Sequence, residues 1–189
     1  MNHIAQLDPQ TATGQTKTLF DGVQGKLGVV PNLFRVMGNA PAALKGYLTF
    51  SSALADGQFD PKVREQIALT VAQTNQCAYC LSAHSFIGGK LGLTQQDLAE
   101  ARQAHATDPR TEAILKLAQR IVTQRGELGA AGLEDARRAG LTDGDIVETV
   151  AHVALNTFSN YINHIAGTVI DFPEVPPAQE CGTSSCGCR

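Results

Sequence analysis

Two cysteines and a histidine stand close together in the run Cys77-Ala78-Tyr79-Cys80-Leu81-Ser82-Ala83-His84. On a helix advancing about 100° per residue, Cys77, Cys80 and His84 fall within an arc of about 60° on one face. Leu81, Ile87 and Gly88 flank them on the same side. Cysteines at this spacing can close a short-range disulfide. Cys77 falls in the first turn, where free backbone amides and the positive end of the helix dipole favour a thiolate. One turn beyond Cys80, the imidazole of His84 can polarise a thiol or carry its proton. A single buried cysteine is ordinarily a small hydrophobe, and a single histidine a satisfied polar residue. A pair with a histidine on its face reads instead as redox or catalytic chemistry, with a structural metal site as the alternative.

An acid lies upstream. Glu65, Ala68, Leu69 and Ala72 stand at i, i+3, i+4 and i+7, so Glu65 shares an apolar stripe, while Gln66, Thr70 and Gln73 mark the polar arc of the same helix. An acid on an apolar face is partly desolvated and suited to holding and passing a proton. The alternative is a glutamate paired with Arg64 or another arginine at a helix contact, and spacing alone leaves both open.

The elements that must hold these residues are helices. Pro and Gly fall between periodic segments, and no run of apolar–polar alternation bounded by turns is found. Asp60-Pro61 and Asp108-Pro109 read as helix starts, as do Thr94 with Asp97 and Thr142 with Asp145, which place a hydroxyl three residues before an acid. Gly92, Gly126 and Gly140 sit where helices should stop. The predicted helices cover 9–26, 41–56, 60–75, 78–90, 95–104, 109–125, 132–139 and 143–170, with a turn and a short helical piece at Val30-Pro31-Asn32-Leu33-Phe34. In the last helix Glu148, His152, Asn156, Asn160 and His164 recur every four residues, a spiral drifting about 40° per step. Ile146, Val150, Val153, Phe158, Ile162, Ile165 and Val169 fill much of the rest, so this helix is expected to be buried on several sides and to serve a subunit interface. His152 is then either an additional relay near the thiols or a core or interface histidine.

Composition bounds the function. The 189 residues, 43% hydrophobic, fit one domain with an appendage. Against 18 acidic residues stand 15 Lys and Arg without a cluster, net charge −3, which argues against a nucleic-acid partner. No apolar run nears the roughly 20 residues of a membrane span. The N-terminus Met1-Asn2-His3-Ile4-Ala5-Gln6 shows no secretory signal, so a cytoplasmic location is expected. An odd count of five cysteines then points away from a disulfide framework and toward catalytic or metal chemistry. Three of them, Cys181, Cys186 and Cys188, lie in residues 174–189, a Pro-, Gly- and Ser-containing segment that reads as a flexible tail after a domain of residues 1–173. Sixteen extended residues reach about 50 Å, so these thiols are expected either to exchange with a Cys77–Cys80 disulfide, to hold a soft metal or metalloid ion, or to be incidental.

Glu65, eleven residues, Cys77, two residues, Cys80, three residues, His84 resembles the active-site signature of the alkylhydroperoxidase AhpD-like proteins of the carboxymuconolactone decarboxylase superfamily. Val30-Pro31-Asn32, Pro41, Arg64-Glu65, Asn75-Gln76-Cys77 and Asp171-Phe172-Pro173 resemble its peroxidase-related branch, and the likeness covers about residues 20–173. The resemblance implies an all-α, AhpD-like domain and a homo-oligomer, trimeric or hexameric. It implies that Cys80 attacks a hydroperoxide and becomes a sulfenic acid, that Cys77 resolves it as a disulfide, and that Glu65 and His84 relay protons. Where the characterised peroxidase carries a relay histidine before the second cysteine, this chain has Tyr79, a poorer relay at neutral pH. The founding decarboxylases of the superfamily lack the cysteine pair, which disfavours lactone decarboxylation. No flavin, haem or nicotinamide motif is found and no cofactor is expected, so an external dithiol or a protein reductant must regenerate the thiols. Two rivals remain: thiol–disulfide exchange with a protein partner, and a non-catalytic zinc module using Cys77, Cys80, His84 and a ligand from Glu65 or the tail.

Overall fold

The structure is a computed structural model, described over residues 3–178, and it is all-helical: nine α-helices and no strand among the described residues. They are α1 (Gly14–Leu27), α2 (Asn32–Met37), α3 (Pro41–Ala55), α4 (Pro61–Thr74), α5 (Ala78–Lys90), α6 (Gln95–Arg102), α7 (Pro109–Thr123), α8 (Gly129–Arg138) and α9 (Asp143–Ala166). The start signals act as expected. Asp60 accepts from the Lys62 amide and Asp108 from the Thr111 amide, each with proline at the first helical position. Thr94–Asp97 and Thr142–Asp145 form reciprocal capping boxes. Differences from the sequence reading lie at helix ends. Residues 8–12 turn on the Asp8 carbonyl, so α1 begins only at Gly14, and α9 stops at Ala166 because Gly167 is left-handed (φ 57°).

Helix α4 is the axis of the bundle and packs against α5, α6, α7 and α9. Every residue from Gln66 to Ala72 is buried, so the polar arc is no solvent face. It is satisfied internally: the Thr70 hydroxyl donates to the Ala101 carbonyl at the end of α6 (2.6 Å). Buried Asp145 ties α9 to α7 through Arg110 Nη2 at 2.6 Å.

The inner face of α9 carries Thr149, His152, Asn156, Ser159, Asn160 and Asn163, all buried, while Val147, Val150, Phe158, Tyr161 and Ile165 point outward and are exposed. No helix among the described residues is long and apolar enough to cross a membrane.

After α9 the chain doubles back across the body. Asp171 accepts from the amide of Asn32 at the start of α2 (2.9 Å), and Phe172 packs edge-on against Tyr79. The Val175 amide donates to Ser82 Oγ (2.9 Å), and Arg102 Nη2 donates to the Pro176 carbonyl (2.7 Å). The tail expected to begin at residue 174 is thus hydrogen-bonded to the helices as far as Ala178, and its three cysteines lie outside the described residues.

Candidate functional site

The turn between α4 and α5 delivers the first thiol. Cys77 N–H donates back to the Ala72 carbonyl (2.8 Å) and Gln76 N–H to Gln73 (3.0 Å), a helix stop that places Gln76 in the left-handed region at φ 56°. Cys77 thereby becomes the N-cap residue of α5, and Cys80 follows within the first turn. Both cysteines are free thiols, each only 2% exposed.

Their surroundings differ. Cys80 Sγ accepts from Asn163 Nδ2 of α9 (3.2 Å) and lies 4.0 Å from Ser159 Oγ. The side-chain amide of Asn75, in the turn before Cys77, donates to Asn160 Oδ1 (2.9 Å), which ties that turn to α9 as well. The two sulfurs share a proton. Cys80 donates to Cys77 and lowers the Cys77 thiol to about 7 against the upward pull of burial. The same sharing, with burial, holds Cys80 well above the ordinary thiol range, while Asn163 and Asn160 pull it down. Cys77 is therefore the more acidic of the two, and the first negative charge the pair takes on falls mainly on it.

Glu65 meets the histidine. Its Oε2 lies 2.7 Å from His84 Nδ1, which resolves the choice left open by spacing, since Arg64 instead donates to the Ala55 carbonyl. One turn on, Gly88 makes room for Leu93 and Leu98, on which a Cβ there would press at 3.0 Å, while Glu65 Cβ would stand at an ordinary 3.8 Å. Burial pulls the His84 imidazole down, but the carboxylate beside it pulls harder and raises it above its ordinary value.

An apolar cavity of 230 Å³ opens onto these groups. Cys80, His84 and Ser159 contribute its polar atoms together with Tyr47 and Tyr79, Leu33, Phe34 and Phe172 form walls, and exposed Leu27, Val29, Phe86 and Ile87 stand at its rim. Cys77 does not line it. The two sulfurs thus have different outlooks: Cys80 faces the cavity, and Cys77 sits under the Gln76 turn.

Tyr79 is a structural latch. Its hydroxyl accepts from the Leu33 amide (3.1 Å), and its ring meets Phe172 edge-on at 5.8 Å. Burial pushes the phenol far above its ordinary range, so it holds α2 and the returning C-terminal segment and keeps its proton. His152 is buried, stacked 5.8 Å from Phe59 and 3.9 Å from Glu148, which makes it a core histidine. His164 bonds the Asn75 carbonyl (2.8 Å) from an exposed position. Among the described residues no three His, Cys, Asp or Glu side chains are grouped as a metal site would require.

The sequence reading missed Asn163, Ser159 and Tyr47. A count of four along α9 steps from Asn160 to His164 and passes over Asn163. The signal that finds it is the polar series 152, 156, 159/160, 163 at alternating three and four, the period of one helix face.

Known proteins share this architecture. The carboxymuconolactone decarboxylase family profile matches residues 41–121. An uncharacterized protein of Haemophilus influenzae is 46% identical over 46 residues, 24% of this chain and 41% of that protein, so the match spans less than half of that relative. The structure of an alkylhydroperoxidase AhpD core, an uncharacterized peroxidase-related protein from Ralstonia eutropha, superposes with a TM-score of 0.77 at 26% identity, covering 90% of this chain and 92% of that one. An uncharacterized peroxidase-related protein from Silicibacter gives a TM-score of 0.75 at 24% identity over 88% and 92% of the two chains. A debrominase in complex with 2,3,4-tribromopyrrole gives 0.75 at 19% over 90% and 92%. At the latter two identities the likeness is one of fold.

The shared proton predicts a separable titration. Absorbance at 240 nm of the reduced protein should show one thiolate per chain appearing near pH 7, apart from ordinary thiols at ~8.5. Because the Cys77 value is depressed, its thiolate is lost as pH falls through that midpoint. Cys77→Ser should remove the step, and Cys80→Ala should move it upward. Two thiolates titrating together in the wild type would contradict the shared proton.

Proposed function

We propose that this chain, an AhpD-like protein carrying a carboxymuconolactone decarboxylase family segment at residues 41–121, is a dithiol peroxidase that reduces organic hydroperoxides. The observation that carries the reading is that Cys80 and His84 line one apolar cavity, with Asn163 Nδ2 donating to the Cys80 sulfur. As the hydroperoxide enters, the shared proton moves from Cys80 to Cys77, and the Cys80 thiolate is held by Asn163. That thiolate attacks the terminal peroxide oxygen. The S–O bond forms, the O–O bond breaks, sulfur is oxidised to a sulfenic acid, and the departing alkoxide takes a proton from His84 to leave as an alcohol. Glu65 stabilises the imidazolium before transfer and orients the ring.

Cys77 gives its proton to the now neutral His84, and the Cys77 thiolate then attacks the Cys80 sulfur. A disulfide forms, hydroxide leaves, and protonation gives water. An external dithiol or protein reductant supplies two electrons to restore the pair, and a reducing compartment such as the cytoplasm suits that cycle. The 230 Å³ cavity, with its apolar walls, favours an organic hydroperoxide over hydrogen peroxide.

The chain is also proposed to form a homo-oligomer through α9. Val147, Val150, Phe158, Tyr161 and Ile165 present an exposed apolar stripe along that helix, and the family resemblance points to a trimer or hexamer. Light scattering should show an oligomer that Tyr161→Glu with Ile165→Glu reduces to monomers of unchanged helicity. A monomeric wild type would contradict it.

The activity is tested by treating reduced protein with one equivalent of organic hydroperoxide and mapping thiols by mass spectrometry. The expected result is loss of two hydrogens at Cys77–Cys80, with turnover when dithiol is added. Cys80→Ser should abolish it, and His84→Ala should lower kcat/KM about 100-fold. A disulfide that exchanges with thiols but ignores peroxide would assign the chain to thiol–disulfide exchange with a partner. Stoichiometric zinc protecting both thiols would contradict both redox readings.

A further inference from the structure

A second cavity adjoins the one that Cys80 faces. It has a volume of 550 Å³ and lies between α5, α6 and the returning C-terminal segment. Phe86 lines both cavities and is their common wall. The returning segment divides in the same way, since Phe172 lines the Cys80 cavity and its neighbour Pro173 the second. The Phe86 and Phe172 rings pack 6.0 Å apart, so a single layer of aromatic side chains forms the partition.

The two cavities differ in charge. No lysine, arginine or carboxylate lines the Cys80 cavity, whereas the second is lined by Lys90 and Arg102 and by no acid, in a chain of net charge −3. Lys90 Nζ stands 5.5 Å from the centre of the Phe86 ring, at the partition itself. Arg102 is fixed by neutral partners: Nε and Nη2 donate to Gln73 Oε1 at 3.1 and 3.0 Å, and Nη2 to the Pro176 carbonyl at 2.7 Å. Those bonds leave Nη1 without a partner among the described residues. Burial with no carboxylate beside it pulls the guanidinium below its ordinary value, the sign of an uncompensated cation. Two cations facing one cavity without an acid attract an anion. From Cys80 to Lys90, α5 rises about 15 Å. With carbon–carbon bonds of about 1.5 Å laid zigzag, that is the length of an extended chain of about twelve carbons. Exposed Phe86 and Ile87 lie between the two ends and give such a chain an apolar track.

We propose that the second cavity anchors the carboxylate of a fatty-acid hydroperoxide, whose chain passes over the Phe86 rim and sets its peroxide at Cys80. The proposal rests on the reading of Cys80 as the thiol that meets a hydroperoxide, and it names the substrate class of that site. Lys90 is the charged partner of the carboxylate, and Arg102 Nη1 is a second donor held in place by Gln73 and Pro176. The peroxide, about twelve carbons along the chain, meets Cys80, and the remaining hydrocarbon fills the apolar cavity beyond it. A neutral hydroperoxide such as cumene hydroperoxide enters the same cavity but gains nothing from Lys90.

The test uses the full, reduced chain. Turnover with added dithiol is compared for linoleic acid hydroperoxide and its methyl ester, the same peroxide with and without the charge, both at concentrations too low for micelles. The free acid should show a kcat/KM about tenfold above the ester through a lower KM, and added salt should shrink the difference. Lys90→Met keeps much of the alkyl stem over Phe86 and should bring the ratio of acid to ester close to one, while Lys90→Arg should preserve most of it. A parallel arm titrates linoleate, which carries no peroxide, into the chain by calorimetry, and Lys90→Met should weaken its binding about tenfold. Linoleate binding that depends on Lys90, in a chain that no hydroperoxide oxidises, would sink the peroxidase reading and leave the anchor standing. Equal turnover of acid and ester, or a preference for the acid that survives Lys90→Met, would overturn the anchor and leave the peroxidase reading intact.

Discussion

One negative charge shared by two nearly buried sulfurs sets the terms for everything around it. A thiolate away from water must be solvated by fixed donors, or burial drives it to its neutral form. The fold supplies those donors from several directions. The start of α5 offers the positive end of a helix at Cys77, α9 aims the Asn163 amide at Cys80, and each sulfur can accept the proton the other gives up. The carboxylate of Glu65 would be a second uncompensated charge a few side chains away, and His84 neutralises it at 2.7 Å. Remove any of these partners and the remaining groups are left charged without solvation, which is why α4, α5 and α9 must meet at this point.

Packing explains how they can. Helix α4 is buried all round from Gln66 to Ala72, and α5 packs along it, with Gly88 leaving the room that Leu93 and Leu98 fill. The close approach brings Glu65 to His84 and, through the 73–77 turn, sets Cys77 above Cys80. The C-terminal segment completes the arrangement from outside. Phe172 walls the cavity against Tyr79, and Asp171 fixes the start of α2.

Much of this was legible in the sequence because it is local. Capping pairs such as Thr142–Asp145, the helix stops, and the one-face spacing of Cys77, Cys80 and His84 depend only on neighbours a turn away. The Glu65–His84 pair was half legible: the apolar stripe marked the acid as unusual, but spacing cannot choose between Arg64 and a histidine on the next helix. Asn163 and Ser159 were hidden because they become functional only when α9 crosses α5, and a four-residue count drifted off the buried face to His164. The polar arc of α4 is likewise explained only by a distant partner. Thr70 is hydroxylated and looks like surface, yet its partner is a carbonyl of α6 some thirty residues away. Tyr79 stands where the characterised peroxidase carries a relay histidine, which marked it as a poorer relay, and only the Leu33 amide on its oxygen reveals a latch.

Cys80, facing the cavity, is the sulfur proposed to meet the oxidant, even though Cys77 is the more acidic thiol. The choice of sulfur is tested most directly by trapping sulfenic acid with dimedone in single-cysteine site variants after one equivalent of organic hydroperoxide. Cys77→Ser should yield a dimedone adduct on Cys80, and Cys80→Ser should yield none on Cys77. An adduct on Cys77 in Cys80→Ser, with Cys80 unmodified in Cys77→Ser, would contradict the account.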